Sequence, residues 1–132
     1  MISCRASLSS LSKSAGRWLS EARTRLAALQ RLELARPGRG PLFAEVDLVS
    51  SHTPWTRIPP LIGWDQLGDG SIFSTLPVDV TPIGSAERTR AAYGRSVQYT
   101  LRSLFSFVQR YGNDDLVLIV LGDHEPATIV SG

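Results

Sequence analysis

The two histidines of this 132-residue chain each follow an apolar stretch, and one of them stands beside an aspartate. Asp123 and His124 come shortly after the apolar run 116–121, while His52 follows the mixed stretch 42–49. Carboxylate oxygen and imidazole nitrogen are ligands that Zn²⁺, Mn²⁺ or Mg²⁺ centres accept. The sequence therefore predicts a metal-binding pair at Asp123 and His124.

His52 is the candidate for contact with a substrate, since an imidazole can donate a hydrogen bond or a proton to a phosphate or sulfate oxygen. Each motif also has an ordinary structural interpretation. Asp123 can cap a turn with His124 on the surface, and His52 can be held by its Ser and Thr neighbours. Two adjacent ligands and one distant histidine do not complete a coordination sphere, so spacing alone leaves both interpretations open.

The elements that must position these residues are predicted to be two strands and a helix between them. The stretch 42–49 is short, mostly apolar and bounded by breakers, and 116–121 has the continuous apolar character of a strand buried on both faces. Between them, Ser85 is a good N-cap for a helix that runs to about Tyr111. The apolar residues expected on one face of this helix are Tyr93, Val97, Leu101, Leu104, Phe105 and Val108. The expected fold class is α/β, an incomplete three-layer α/β/α arrangement with a small, mostly parallel sheet. If the two strands are parallel neighbours, His52 and the Asp123–His124 pair end at the same edge of that sheet.

A long proline-rich loop is predicted between the first strand and this helix. Five of the eight prolines lie within residues 50–84, and loops of this length are uncommon in compact domains unless they dock on the core or serve a function. Apolar side chains are expected to attach the loop to the core: Trp55, Ile58, Leu61, Ile62, Trp64, Ile72 and Phe73.

The N-terminal part is basic, while the remainder is acidic. Residues 1–40 hold eight basic and two acidic groups, and residues 41–132 hold six basic and ten acidic groups. We expect residues 1–17 to be disordered and residues 18–36 to form a basic amphipathic helix. Its arginines suit a solvated face, or docking on a partner or an anionic surface. Nucleic acid is not expected as a partner, since no aromatic residues interleave with the arginines.

Several classes of protein and site are excluded by what the sequence lacks. Cys4 is the only cysteine, so neither an internal disulfide nor a cysteine-based zinc site can form. No apolar run approaches the roughly 20 residues that span a bilayer, and the start lacks the apolar segment of a signal peptide. P-loop, Rossmann, nucleophile-elbow and H-E-x-x-H motifs are all missing.

With both histidine motifs in view, residues 41–132 resemble the C-terminal portion of the alkaline phosphatase and sulfatase superfamily. They resemble in particular the bacterial membrane-bound sulfatase-like enzymes, which include lipoteichoic-acid synthases and other phosphoglycerol transferases. The resemblance lies in the stretch 43–55 with its histidine, the helix with Tyr93 and 97–99, and the Val-Leu-Gly-Asp-His stretch 120–124. Their order along the chain is more specific than either motif alone.

The resemblance implies roles for the candidate residues. Asp123 and His124 match the family's divalent-metal ligands, and His52 matches a histidine that contacts the phosphate or sulfate group of the substrate. The metal would be Mn, Zn, Mg or Ca, and it would activate a Thr, Ser or modified Cys nucleophile. No nucleophile motif is recognisable in this chain, where Cys4, Thr24 and Ser50 are candidates by residue type only.

The sequence thus predicts a fragment of a metal-dependent phosphate- or sulfate-ester hydrolase or phosphoglycerol transferase that is inactive alone. The nucleophile and part of the metal site would lie outside the chain. The resemblance further implies a membrane-anchored parent with an extracytoplasmic catalytic domain. The alternative is a non-enzymatic interaction module, in which the basic helix 18–36 docks on a partner or an anionic surface.

Overall fold

A computed structural model describes residues 21–53, 55, 58–75 and 84–132, and helices are the regular elements of these residues. The expected disorder of residues 1–17 lies outside them, as does the start of the basic helix. The elements, in chain order, are α1 (Glu21–Leu29), a π-helical turn (Gln30–Leu34), two 3₁₀ turns (Val49–Ser51 and Ser71–Thr75), α2 (Ala86–Tyr111) and α3 (Thr128–Ser131). None of the described helices is long and apolar enough to cross a lipid bilayer.

The α/β expectation is wrong, because the described residues form no strand and no sheet. The stretch 42–48 and the run 116–121 have no regular structure, although both were predicted as parts of parallel strands. Residues 117–121 make no backbone–backbone hydrogen bond to another described residue. A strand depends on the hydrogen-bonded ladder of a neighbour that is distant in sequence, and an apolar composition does not provide that neighbour.

The long helix α2 is confirmed, with the start and stop that the sequence indicates. The Ser85 side chain accepts a hydrogen bond from the Arg88 amide at 3.4 Å, which satisfies one free donor of the first turn. The acidic Glu87 lies in that turn, where it complements the helix dipole. The helix ends at Gly112, whose amide donates to the Val108 carbonyl at 2.8 Å.

The buried face of α2 differs from the one that its apolar residues indicate. We expected a face made of Tyr93, Val97, Leu101, Leu104, Phe105 and Val108. The buried residues are Thr89, Ser96, Tyr99, Ser103, Leu104 and Phe107. Leu101 and Phe105 are exposed instead. Both α1 and the 3₁₀ turn Val49–Ser51 contact α2. Such partners are distant in sequence, and they decide which face of the helix is covered.

Two apolar clusters form the core of the residues that the structure describes, and Trp64 packs against both. One cluster is built on Leu26, Leu104 and Phe107, and the other on Ala27, Leu67 and Phe73. The long loop is therefore attached to the core through Trp64 and Phe73, as the sequence indicates. Two other loop residues expected to attach it, Leu61 and Ile72, are exposed.

A buried arginine lies between α1 and α2. Arg23 is only 3% exposed. Its guanidinium carbon lies 3.9 Å from the centre of the Trp64 ring. Its Nη1 donates a hydrogen bond to the Ser106 hydroxyl at 3.1 Å. Burial lowers the pKa of Arg23 below its usual value. The aromatic ring thus faces a cation that is largely removed from water, a setting in which cation–π attraction is strongest.

Burial beside this arginine raises the pKa of Tyr99 to about 12, although the positive charge of Arg23 acts in the opposite direction. Between about pH 10 and pH 12 the unfolded chain loses the phenol proton while the folded chain keeps it. The contribution of Tyr99 to the free energy of unfolding is therefore constant below pH 10. As the pH rises from about 10 to about 12, this contribution should lower the free energy of unfolding by about 2–3 kcal/mol. Tyr99→Phe should remove this fall in urea unfolding curves recorded across the same window. An equally steep fall in the variant would contradict the assignment to Tyr99.

Candidate functional site

Asp123 and His124 lie side by side in a turn after the apolar run. The His124 amide donates a hydrogen bond to Asp123 Oδ1 at 3.0 Å. The other carboxylate oxygen, Oδ2, lies 3.5 Å from His124 Nε2. Both side chains are exposed, so the pair is accessible from solvent. These two adjacent residues therefore present one oxygen and one nitrogen that can ligate a metal, close together on the surface.

A backbone contact determines which imidazole nitrogen carries the proton. His124 Nδ1 lies 2.7 Å from the Glu125 carbonyl oxygen. Because a carbonyl oxygen only accepts, this contact needs a proton on Nδ1. In the neutral ring the lone pair is then on Nε2, which faces Asp123 Oδ2. Two acceptors facing each other repel unless a proton or a metal ion lies between them.

The spacing of the two donors suits a divalent metal. In a tetrahedral site with metal–ligand bonds of about 2.1 Å, two neighbouring ligand atoms lie about 3.4 Å apart. The separation of 3.5 Å between Asp123 Oδ2 and His124 Nε2 is close to this value. The contact of His124 Nδ1 with the Glu125 carbonyl is of the kind that orients metal-bound histidines in proteins. The pair therefore fits half of a four-coordinate site.

The structure does not gather His52 with this pair into one metal-binding group. His52 follows the 3₁₀ turn Val49–Ser51 and is exposed, and its Nδ1 lies 2.6 Å from the Thr53 carbonyl oxygen. Among the residues that the structure describes, no group of three or more His, Cys, Asp or Glu side chains could hold a metal ion. The expected meeting of His52 with Asp123 and His124 depended on a shared sheet edge, which the described residues do not form.

The described candidates for a nucleophile are buried. Ser50 is buried, and its hydroxyl accepts a hydrogen bond from the Ala22 amide at 3.1 Å. This contact satisfies a free donor in the first turn of α1, so Ser50 holds that helix. Thr24 is buried within α1, and Cys4 lies outside the described residues. The sequence carries no signal for the bond from Ala22 to Ser50, because it joins residues far apart in the chain.

The arginines predicted to form a basic docking face make contacts within the chain. Arg23 is buried over Trp64, and Arg31 donates a hydrogen bond to the Gly68 carbonyl. Arg36 forms an ion pair with Glu33 at 3.3 Å. The burial of Arg23 and the ion pair of Arg36 reduce the positive charge that the described part of the basic helix offers to a partner or an anionic surface. Arg31 keeps its exposed charge, since its partner is a neutral carbonyl.

No model of a known protein family matches the chain, and no curated protein or solved structure matches it either. What bears on function in the described residues is therefore the geometry of the Asp123–His124 pair.

Proposed function

We propose that this chain supplies half of a divalent-metal site, through Asp123 and His124, to a metal-dependent phosphate- or sulfate-ester hydrolase or phosphoglycerol transferase. The observation that carries the proposal is the separation of 3.5 Å between Asp123 Oδ2 and His124 Nε2. The contact of His124 Nδ1 with the Glu125 carbonyl supports it, since that contact leaves Nε2 free to ligate.

The class of substrate rests on the resemblance to the sulfatase-like family. A bound divalent ion would polarise an ester oxygen and stabilise the charge that develops on it. The matching position of His52, with an exposed ring, supports a role in contacting a phosphate or sulfate oxygen. The same resemblance supports a parent protein at the cell membrane, with this region on the extracytoplasmic side.

The chain alone should be inactive. Two donors do not complete a metal site, and Ser50 and Thr24 are buried within the fold. The missing ligands and the nucleophile would come from polypeptide beyond the residues described. A half-assembled site lacks the preorganised charge that lowers a reaction barrier.

Titration of Zn²⁺ or Mn²⁺ into the full chain by calorimetry tests the pair. With two protein donors we expect a Kd on the order of 0.1–1 mM, equivalent to about −4 to −5.5 kcal/mol. Asp123→Ala and His124→Ala should each abolish the binding, because either change removes one donor of the chelate. Asp114→Ala is the matched control, since it removes another exposed carboxylate and should leave the isotherm unchanged.

Nitrogen NMR of the His124 ring separates ligation from a simple ion pair. On Zn²⁺ addition, the Nε2 resonance should move while Nδ1 stays protonated. Aryl phosphate and aryl sulfate should remain unhydrolysed at every metal concentration. Wild-type affinity in His124→Ala would refute the chelate, and turnover abolished by Asp123→Ala would refute the half-site.

A further inference from the structure

The apolar run 116–121 lies in solvent with the exposure pattern of a single extended strand. Val117, Ile119 and Leu121 are 84, 78 and 80% exposed. The residues that alternate with them, Leu116, Leu118 and Val120, are 45, 44 and 54% exposed. A period of two is what an extended chain produces, since its successive side chains point to opposite sides. One side of the run is therefore half covered, and the other is open.

The backbone of the run is also unpaired. Residues 117–121 make no backbone–backbone hydrogen bond with any other residue that the structure describes. Unpaired amides and carbonyls along an extended apolar segment are a template for pairing with another strand. Strand addition would satisfy these groups and remove apolar side chains from water in one step.

Acidic residues stand at both ends of the run. Asp114 and Asp115 precede it, and Asp123 and Glu125 follow it, all four exposed. None of these carboxylates forms an ion pair with an arginine or lysine of the described residues; the contact of Asp123 with His124 is the pairing found there. The run is thus an apolar segment between two negative ends.

This charge pattern disfavours a second copy of the chain as the occupant. Antiparallel pairing of the run with itself, centred on the run, places Asp114 opposite Asp123 of the copy at both ends. Like charges directly opposite each other destabilise a strand pair. The chain's own stretch 42–48, which is only partly exposed, is equally unsuited, because it carries Glu45 and Asp47.

We propose that residues 116–121 are a strand-addition surface for another polypeptide, whose exposed edge strand is apolar and flanked by basic residues. The partner strand would form a backbone ladder with the run, and its lysines or arginines would face the four carboxylates. The inference stands apart from metal binding, since it uses the run and its flanking charges and needs no ion at Asp123.

A pair of labelled peptides tests the surface on the full chain, in a buffer with a chelator so that metal plays no part. The first probe is Lys-Lys-Val-Thr-Val-Tyr-Val-Thr-Lys-Lys, and the second replaces each Lys with Glu. At low salt the lysine peptide should bind at least about tenfold more tightly by fluorescence anisotropy, and added salt should narrow the difference. Hydrogen exchange should then show slower amide exchange within residues 117–121.

Ile119→Pro should abolish binding, because proline removes an amide donor and cannot join the ladder. Ile119 is exposed, and the described residues make no backbone hydrogen bonds around it. The helix content of this variant, measured by circular dichroism, should therefore equal that of the unaltered chain. Ala44→Pro, in the stretch 42–48, is the matched control and should bind like the unaltered chain. Equal binding of both peptides, no binding, wild-type binding by Ile119→Pro, or protection of 117–121 in the chain alone through self-pairing would each overturn the proposal.

Discussion

Replacing Phe73 with alanine is expected to lower the free energy of unfolding by about 3–5 kcal/mol. Phe73 is 2% exposed and packs with Ala27 and Leu67 in one of the two core clusters. Alanine would lose the transfer free energy of the ring and leave a cavity that the neighbouring turns fill only in part. Domains of this size are stable by roughly 5–15 kcal/mol, so a large share of the folded state's advantage would disappear.

Phe43→Ala is the matched control for this experiment, because Phe43 is 72% exposed. Surface substitutions of this kind usually change stability by less than about 0.5 kcal/mol. Urea unfolding followed by tryptophan fluorescence measures both variants. If Phe73→Ala cost no more than Phe43→Ala, the second core cluster would not be packed as described.

Trp64→Ala is expected to cost a similar amount, about 3–5 kcal/mol. The indole joins both core clusters and makes edge-to-face contacts with Phe107 and Tyr111, at 5.6 and 5.8 Å between ring centres. It also lies against the buried Arg23 guanidinium. Removing the ring would leave that cation poorly compensated away from water, which adds to the cost of the cavity.

A double-mutant cycle with Arg23→Met separates these two contributions. Methionine keeps much of the side-chain volume and removes the charge, so Trp64→Ala should cost about 1–2 kcal/mol less in that background. Unfolding followed by far-UV circular dichroism suits the cycle, since the substitution removes a fluorophore. Additive losses would show that the ring and the guanidinium do not interact energetically.

Local signals were sufficient to predict α2. Ser85 caps the helix, and Gly112 stops it, and both effects act over a few residues. The buried face was not predictable in the same way, because it depends on which partner packs there. Ser96 and Ser103 are buried, while the more apolar Leu101 and Phe105 are exposed.

The prediction of two strands was wrong for a related reason. The run 116–121 has the composition of a buried strand, but pairing needs a neighbour, and the described residues supply none. The adjacency of Asp123 and His124 was visible in the sequence. The contact between His124 Nδ1 and the Glu125 carbonyl leaves Nε2 facing Asp123. This contact follows from the backbone conformation, so the sequence could not predict it. The prediction that His52 lies beside this pair depended on the sheet, which the described residues do not form.

The acidic ends of the run 116–121 have a consequence for the handling of the protein. An uncharged apolar hexamer in solvent is a nucleus for fibril growth, and charged residues on either side act as gatekeepers that keep such a segment soluble. Asp114, Asp115, Asp123 and Glu125 occupy those positions. The solubility of the protein during expression and storage should therefore depend on these four carboxylates as much as on the packing of the core.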